Sequence, residues 1–383
     1  MSADFYCSQK FWWLSVDLAR RQTQSCCAAS PARIDTKWLE THPGHLFNTP
    51  LAIEERKMML DNQAVDSCSA TCWLPESQGL TSRRINQGSQ QRTHQSVHAS
   101  PEVLNIIVGT DCNMTCVYCC KDYSSAWARD IADNGNYQLP DNRYHLAPRD
   151  QVLMKLGQKE FDPSQLLDEL AQVCADSKIK EIIITGGEPF LYLKLADLVC
   201  KVSGQGTPIR VFSGLGVNAD RFKRELGKIS SIPELEIVIS GENIGAAYEF
   251  SRNGNTWNQF NENIHTLEHL GISYSFYSTV SNLTVAGIID FARWAGDKKV
   301  IYSPCTDPDF LTISVMDPIS KQRILDKIEF YPHDLRDMLV NDLTIDPTEQ
   351  QRVRLKTYLL DFAARRNLTL ETLPINFQDW INA

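Results

Sequence analysis

Three absences narrow what this 383-residue chain can be. It has no apolar run approaching the roughly 20 residues that span a bilayer, so no membrane segment is expected. It has no excess of positive charge. The formal net charge is −9, which argues against a protein that binds nucleic acid mainly by electrostatics. It also has no secretory signal, because the N-terminus, MSADFYCSQKFWWLSVDLARR, is too short and too interrupted to be one. A cytoplasmic location is expected. No internal repeat stands out. In a reducing compartment the 12 cysteines are metal ligands, redox groups or packed thiols sooner than disulfides.

What is present is length enough for two or three domains, and 43% hydrophobic residues for a sizeable core. The cysteines are uneven. Cys7, Cys26, Cys27, Cys68 and Cys72 lie early, and Cys112, Cys116, Cys119 and Cys120 fall in one short stretch. Cys174, Cys200 and Cys305 are scattered. Between the first two groups, Glu76–Glu102 is polar, rich in Gly, Ser and Gln and without apolar periodicity, as a linker or loosely held loop would be.

Beyond it, short β-branched runs alternate with helical-period segments. The expected strands are Val103–Gly109, Glu181–Gly186, Ile209–Gly214, Leu235–Gly241, Ser273–Val280 and Lys298–Pro304. The expected helices include PSQLLDELAQVCADS, ADRFKRELGKI, WNQFNENIHTLEHLG and VAGIIDFARWAGD. Six β/α units imply a parallel sheet with helices outside. A closed eight-unit barrel needs about 250 residues, more than this stretch provides, so a partial (β/α)6 TIM-like barrel fits better. In such folds chemistry sits at the carboxyl ends of the strands.

The stretch TDCNMTCVYCCKDYS follows the first of these strands directly. Its spacing is C-x3-C-x2-C, with Cys120 outside the ladder as a packed small hydrophobe. Three chemistries compete for it. Structural zinc wants four closed ligands, and no histidine is nearby to supply one; His145 is far along the chain. Electron-transfer iron–sulfur sites use four cysteines per 4Fe–4S cluster with other spacings. The third is a 4Fe–4S cluster held by three thiolates, with one iron open to a small chelate.

Cys112, Cys116, Tyr118 and Cys119, with an aromatic before the last ligand, resemble the signature of the radical S-adenosylmethionine (SAM) superfamily. The resemblance implies that the open iron takes the amino and carboxylate groups of S-adenosylmethionine. It also implies that the sulfonium is cleaved to a hydrogen-abstracting 5′-deoxyadenosyl radical, with an electron donor such as flavodoxin or ferredoxin as partner. TGGEPF (Thr185–Phe190) ends the second strand and is similar to the family's GGEP motif. There Gly186 and Gly187 would free the backbone for close approach of a ligand, and Glu188 would hold the methionyl amine. ISGEN resembles a Ser-x-Asp-Gly motif in part: Ser240 matches, but Glu242 and Asn243 stand where Asp and Gly are usual. In YEFSRNGNTW, Arg252 is either a partner of the cofactor carboxylate or a solvated helix-start arginine. Ser213 either reaches the cofactor from the third strand or is a turn serine.

The N-terminal cysteines could form an all-cysteine zinc site. The module instead resembles the "twitch" domain, which carries an auxiliary cluster in radical enzymes. That implies a second 4Fe–4S cluster held by Cys7, Cys26, Cys68 and Cys72, with Cys27 as the alternate to Cys26. The divisions are then residues 1–84 for the twitch-like domain, 85–102 for the linker, 103–315 for the radical core and 316–383 for a helical extension packed over the barrel flank. Twitch-first order resembles compact phage isomerases of thymidine hypermodification, which convert an N-linked glycine on the thymine methyl group into a C-linked one. Modified DNA would be their substrate, and Arg83, Arg84, Arg92 and His94 in the linker would be either phosphate contacts or a solvated stretch. A radical maturase acting on a ribosomally made peptide is the alternative, although no stretch reads as a leader-binding module.

Overall fold

The structure, a computed structural model, describes residues 4–140, 163–176, 178–204 and 206–375. His145 lies outside the described residues.

The β-branched runs form the expected strands, each starting or ending within two residues of expectation. They are β4 (Val103–Ile107), β5 (Glu181–Thr185), β6 (Ile209–Ser213), β7 (Leu235–Ser240), β8 (Ser273–Val280) and β9 (Val300–Pro304). Before them come β1 (Trp13–Asp17), β2 (Gln22–Gln24) and β3 (Ala32–Arg33). All nine make one sheet in the order β3-β2-β1-β4-β5-β6-β7-β8-β9. From β1 and β4 through β9 the pairing is parallel, while β2 and β3 add an antiparallel edge. This is an α/β fold with a mostly parallel sheet, compatible with a partial TIM-like barrel.

Alternation sets the two faces of the sheet. Leu104, Ile106, Ile182, Ile184, Ile209 and Val211 are all fully buried and share one apolar core with the crossover helices Pro163–Asp176, Leu195–Val202, Ala219–Gly227, Trp257–His269 and Ile288–Ala295. The opposite face carries polar pairs: Asn105 donates to Ser15 at 2.8 Å, and Arg210 donates to Glu236 at 3.0 Å.

Three features differ from expectation. First, the sheet begins before residue 103. Trp13 pairs with Val103 and Asp17 with Ile107, so the N-terminal module contributes a strand to the sheet. Second, the stretch expected to be loosely held is tied down. Ser8 N–H donates to Ser89 O at 2.8 Å, the Tyr6 hydroxyl accepts from the Thr93 and His94 N–H groups, and Arg56 reaches Val97 O at 3.2 Å. A polar composition therefore hid a strap whose bonds run to its backbone. Third, the tail helices Pro318–Leu325, His333–Leu343 and Glu349–Arg366 pack into a second core with Val117, Trp127 and Tyr137, beside the cysteine loop and not only over the flank.

Candidate functional site

The cysteine ladder sits where β4 ends, on a loop held by its neighbours' backbones. Gly187 N–H donates to Gly109 O at 2.9 Å, and Glu188 N–H donates to Asp111 O at 2.7 Å. A Cβ on Gly187 would lie 2.5 Å from Asp111 O, and one on Gly186 would lie 2.9 Å from Gly109 O. These glycines permit close approach of the chain's own loop, which packs against them with no room for a Cβ. Inside the loop, the Ser125 hydroxyl donates to Cys112 O at 3.0 Å and the Ser124 hydroxyl donates to Met114 O at 2.7 Å. Met114 fills a notch at Gly214, where a Cβ would come within 2.2 Å of its methyl carbon.

Cys112 and Cys116 are buried and pack with Met114, Tyr118 and Cys119 in one small apolar group. Burial pushes the Cys112 thiol up to about 12. It also raises Cys119, with the neighbouring Cys116, Cys120 and Cys112 adding to the effect. Among the described residues, no three His, Cys, Asp or Glu side chains converge to hold a single metal ion. Thiolates that each hold a separate iron of a cluster need not converge in that way.

Two buried carboxylates face this group. Glu188 accepts from the Ser213 hydroxyl at 2.8 Å, from Gly214 N–H at 3.1 Å and from Phe190 N–H at 3.2 Å. Burial raises its pKa, and those donors oppose the rise. Ser213 thus reaches Glu188 directly. Glu242 is fully buried and accepts from Arg252 on both oxygens, at 2.8 Å on Oε2 and 3.1 Å on Oε1, and from the Tyr118 hydroxyl at 2.5 Å. Arg252 is 6% exposed, so it is no solvated arginine, and its side-chain partner is Glu242. Its guanidinium also lies 3.8 Å from the Cys116 sulfur and over the Tyr118 ring. Ser240 ends β7, half-buried, two residues before Glu242. Sequence reasoning missed Met114 and its glycine notch, although the glycines of FSGLG were the available signal.

The second cysteine group is assembled from distant segments. Cys7, Cys26, Cys68 and Cys72 border one small enclosed cavity together with Lys10 and Arg84. Cys27 is exposed and lies outside that lining. Burial raises Cys7 to about 12. It raises Cys68 to about 11, with Lys10 opposing. A hydrogen bond from the Cys27 thiol, helped by Ala28 N–H and the Arg83 charge, brings Cys26 down to about 6 against the effect of burial.

Three of the four linker residues read as phosphate contacts have partners within the protein. Arg84 is buried, pairs with Glu76 and donates to Tyr6 O at 2.8 Å. Arg92 meets Asp4 at 3.2 Å, and the His94 ring stacks on Phe11. Arg83 borders the cysteine cavity. Internal carboxylates, carbonyls and rings thus engage Arg84, Arg92 and His94, while Arg83 is exposed.

Residues 106–295 match the model of the Radical SAM superfamily. Curated proteins give no match. Among solved structures, native anSMEcpe with bound AdoMet is 15% identical over 54% of this chain and 52% of that one, with a TM-score of 0.35. SuiB of Streptococcus suis bound to its precursor peptide SuiA is 10% identical over 91% of this chain and 78% of that one, with a TM-score of 0.39. SuiB bound to S-adenosylmethionine is 11% identical over 88% and 70%, with a TM-score of 0.41. The chain spans about half the length of the first of these structures.

The chain carries a radical SAM superfamily domain over residues 106–295, and the loop after β4 with Cys112, Cys116 and Cys119 lies within it. The class implies a 4Fe–4S cluster and S-adenosylmethionine as cofactors. The residues present fit them: three adjacent thiols in an apolar pocket at a strand end, with a guanidinium beside one sulfur. Among the described residues no helix is long and apolar enough to cross a membrane.

Proposed function

We propose that this chain is a radical SAM enzyme with two iron–sulfur sites that acts at an amino-acid α-carbon. When bound, the cluster at Cys112, Cys116 and Cys119 and its S-adenosylmethionine supply one electron and a hydrogen-abstracting carbon radical. The chain's own residues shape the site around that chemistry. Glu188, oriented by Ser213 and by Gly214 N–H, is a buried acceptor suited to the methionyl amine. Arg252 favours the Cys116 thiolate, and Tyr118 and Glu242 hold Arg252 in place. Ser240, at the end of β7, lies on the same rim. Cys7, Cys26, Cys68 and Cys72 hold the auxiliary cluster, in a twitch-like module that lends β1 to the sheet. The electron donor is a flavodoxin or ferredoxin. The observation that carries this proposal is the pairing of a three-cysteine loop at a strand end with a second, four-cysteine cavity.

For the substrate we propose an N-linked glycinyl group on the thymine methyl of modified DNA, rearranged to the C-linked isomer. The support is the resemblance in domain order. Deuterium placed on the glycyl α-carbon should appear in 5′-deoxyadenosine. The product should keep its mass apart from label and gain a primary amine. One observation favours the second substrate, a ribosomally made peptide: Arg84 and Arg92 are paired with the chain's own carboxylates. In that case a co-encoded peptide loses two hydrogens while modified DNA is left untouched.

A further inference from the structure

Cys116 stands between two residues whose positions are fixed from both sides. On one side, Thr115 N–H donates to Asn253 O at 2.7 Å and Val117 N–H donates to Ser251 O at 2.9 Å. These bonds tie the loop to the segment that carries Arg252. On the other side stands the helix Glu349–Arg366, which lies beyond the residues of the family match. Its Tyr358 hydroxyl donates to Val117 O at 2.6 Å, with both groups buried. Its Arg366 Nε donates to the Thr115 hydroxyl at 2.9 Å. The guanidinium of Arg366 also lies over the ring of Trp127, at 4.5 Å, and Trp127 Nε1 donates to the carbonyl of Cys116 itself at 3.0 Å.

We propose that Tyr358 and Arg366 are positioning residues for the radical cluster: the C-terminal helix clamps the backbone around Cys116 and so fixes its sulfur toward iron and toward Arg252. The physical ground is the number of constraints. A thiolate ligand on a loop is oriented only as well as its backbone is held, and outer groups that hold ligands commonly tune the metal they bind. Here the acceptors before, at and after Cys116 are all taken, and two of the three contacts trace to one helix. A buried carbonyl left without its donor is unfavourable, so removal of the Tyr358 hydroxyl frees Val117 to shift in search of a partner.

This inference rests on the assignment of Cys112, Cys116 and Cys119 to the radical cluster, and its test separates the two. Tyr358→Phe and Arg366→Gln are prepared in the full chain, reconstituted anaerobically, beside Arg354→Gln. Arg354 lies on the same helix but meets Asp309 at 2.7 Å, away from the cysteine loop. Three quantities are read: iron loss to a chelator, the change in the reduced-cluster EPR spectrum on adding S-adenosylmethionine, and the thermal midpoint. Tyr358→Phe and Arg366→Gln should each lose radical-cluster iron about fivefold faster, the scale of one buried hydrogen bond. Both should also alter the SAM-dependent EPR change, whereas Arg354→Gln should lower the midpoint without touching that signature. Wild-type EPR and iron loss in both variants would overturn the clamp, as would the same spectral change in Arg354→Gln at an equal fall in midpoint. If Arg366→Gln does not fold, Arg366→Lys, which keeps the charge and loses the planar fork, decides on the same readings. A wild-type protein with no SAM-dependent EPR change would sink the cluster assignment itself.

Discussion

The two cysteine groups are brought together by opposite means. At the radical end the ligands lie on one loop, held chiefly through its backbone: it meets Gly187 and Glu188 N–H, Asn253 O and Ser251 O, and the side chains of Ser124, Ser125, Trp127 and Tyr358 bond to its carbonyls. In the N-terminal module, Cys7, Cys26, Cys68 and Cys72 come from separate segments, and side-chain charges tie those segments together. Lys10 pairs with Glu55 and donates to Ser67 at 2.8 Å, Arg84 pairs with Glu76, and Arg56 donates to the carbonyls of Lys10 and Phe47, each at 2.8 Å. A backbone-held loop tolerates changes of surface charge but little added volume. A charge-held cavity tolerates volume better than the loss of a single counter-ion. The difference also bears on chemistry. On the proposed assignment, three thiolates would leave an iron open to a cofactor, whereas four would close every position of a second cluster and suit it to electron relay or structure.

The comparison breaks most sharply when either set of ligands is removed. Replacing Cys112, Cys116 and Cys119 together by Ala should lower iron from about eight atoms per chain to about four. It should also abolish formation of 5′-deoxyadenosine with dithionite, since alanine offers iron no donor. Replacing Cys7, Cys26, Cys68 and Cys72 should remove a similar amount of iron while leaving reductive cleavage of S-adenosylmethionine in place. Cys27→Ser should leave iron unchanged, since Cys27 is outside the cavity lining. Iron analysis alongside chromatographic detection of 5′-deoxyadenosine checks all three. Cleavage surviving the first replacement, or full iron after the second, would end the two-site account.

The next effect compares a buried charge pair at each end. Glu242 and Arg252 are both almost fully excluded from solvent. Glu242→Gln leaves a buried guanidinium without its counter-ion, which costs about 3–5 kcal/mol. Adding Arg252→Met to the same protein should recover part of that loss, because the unpaired charge is gone. The N-terminal counterpart, Glu76→Gln, should cost less, about 1–3 kcal/mol, because Arg84 keeps its bond to Tyr6 O and its place over the Trp73 ring. Anaerobic denaturant unfolding measures both. Equal losses would mean that the two regions are held alike.

The same contrast explains what was legible in the sequence. The six strands were readable because β-branched, leucine and aromatic residues crowd into short runs, and the ladder because its ligands lie close together. Cys26 over Cys27 was not readable, since adjacent thiols have the same spacing to everything else; only the cavity separates them. β1 was hidden because Trp13–Asp17 is short and its parallel partner lies beyond a long polar stretch. Arg252 and Glu242 were each visible as residues, but not as a pair. Periodicity reports which face is buried and says nothing about which buried ions meet. Tyr358 was the least accessible of all, because its partner Val117 is 241 residues away in sequence. The helix was plain from its pattern, yet its partner was not.

The smallest expected effect concerns the pH dependence that histidine adds, and it should appear at the charge-held end. Residues 103–140, which include the radical loop, contain no histidine. In the N-terminal strap, His94 stacks on Phe11 at 5.1 Å and its ring nitrogen lies 3.5 Å from the hydroxyl of Tyr6, next to Cys7. Burial lowers its pKa, with Glu102 acting in the opposite direction and Arg56 in the same one. The folded form therefore prefers a neutral ring, while the unfolded chain takes up a proton near the ordinary histidine value of about 6.5. The His94 contribution to stability is complete above that value. It declines as pH falls below it and levels off once the folded value is passed. A modest fall in the unfolding midpoint between about pH 7 and pH 5 should thus be reduced in His94→Gln, which cannot take up a proton in that range. The comparison is made on metal-free protein held reduced, so that cluster loss does not contribute. A pH dependence identical in wild type and His94→Gln would show that the strap is not anchored through this ring, and would move its anchoring to the backbone bonds at Tyr6 and Ser89.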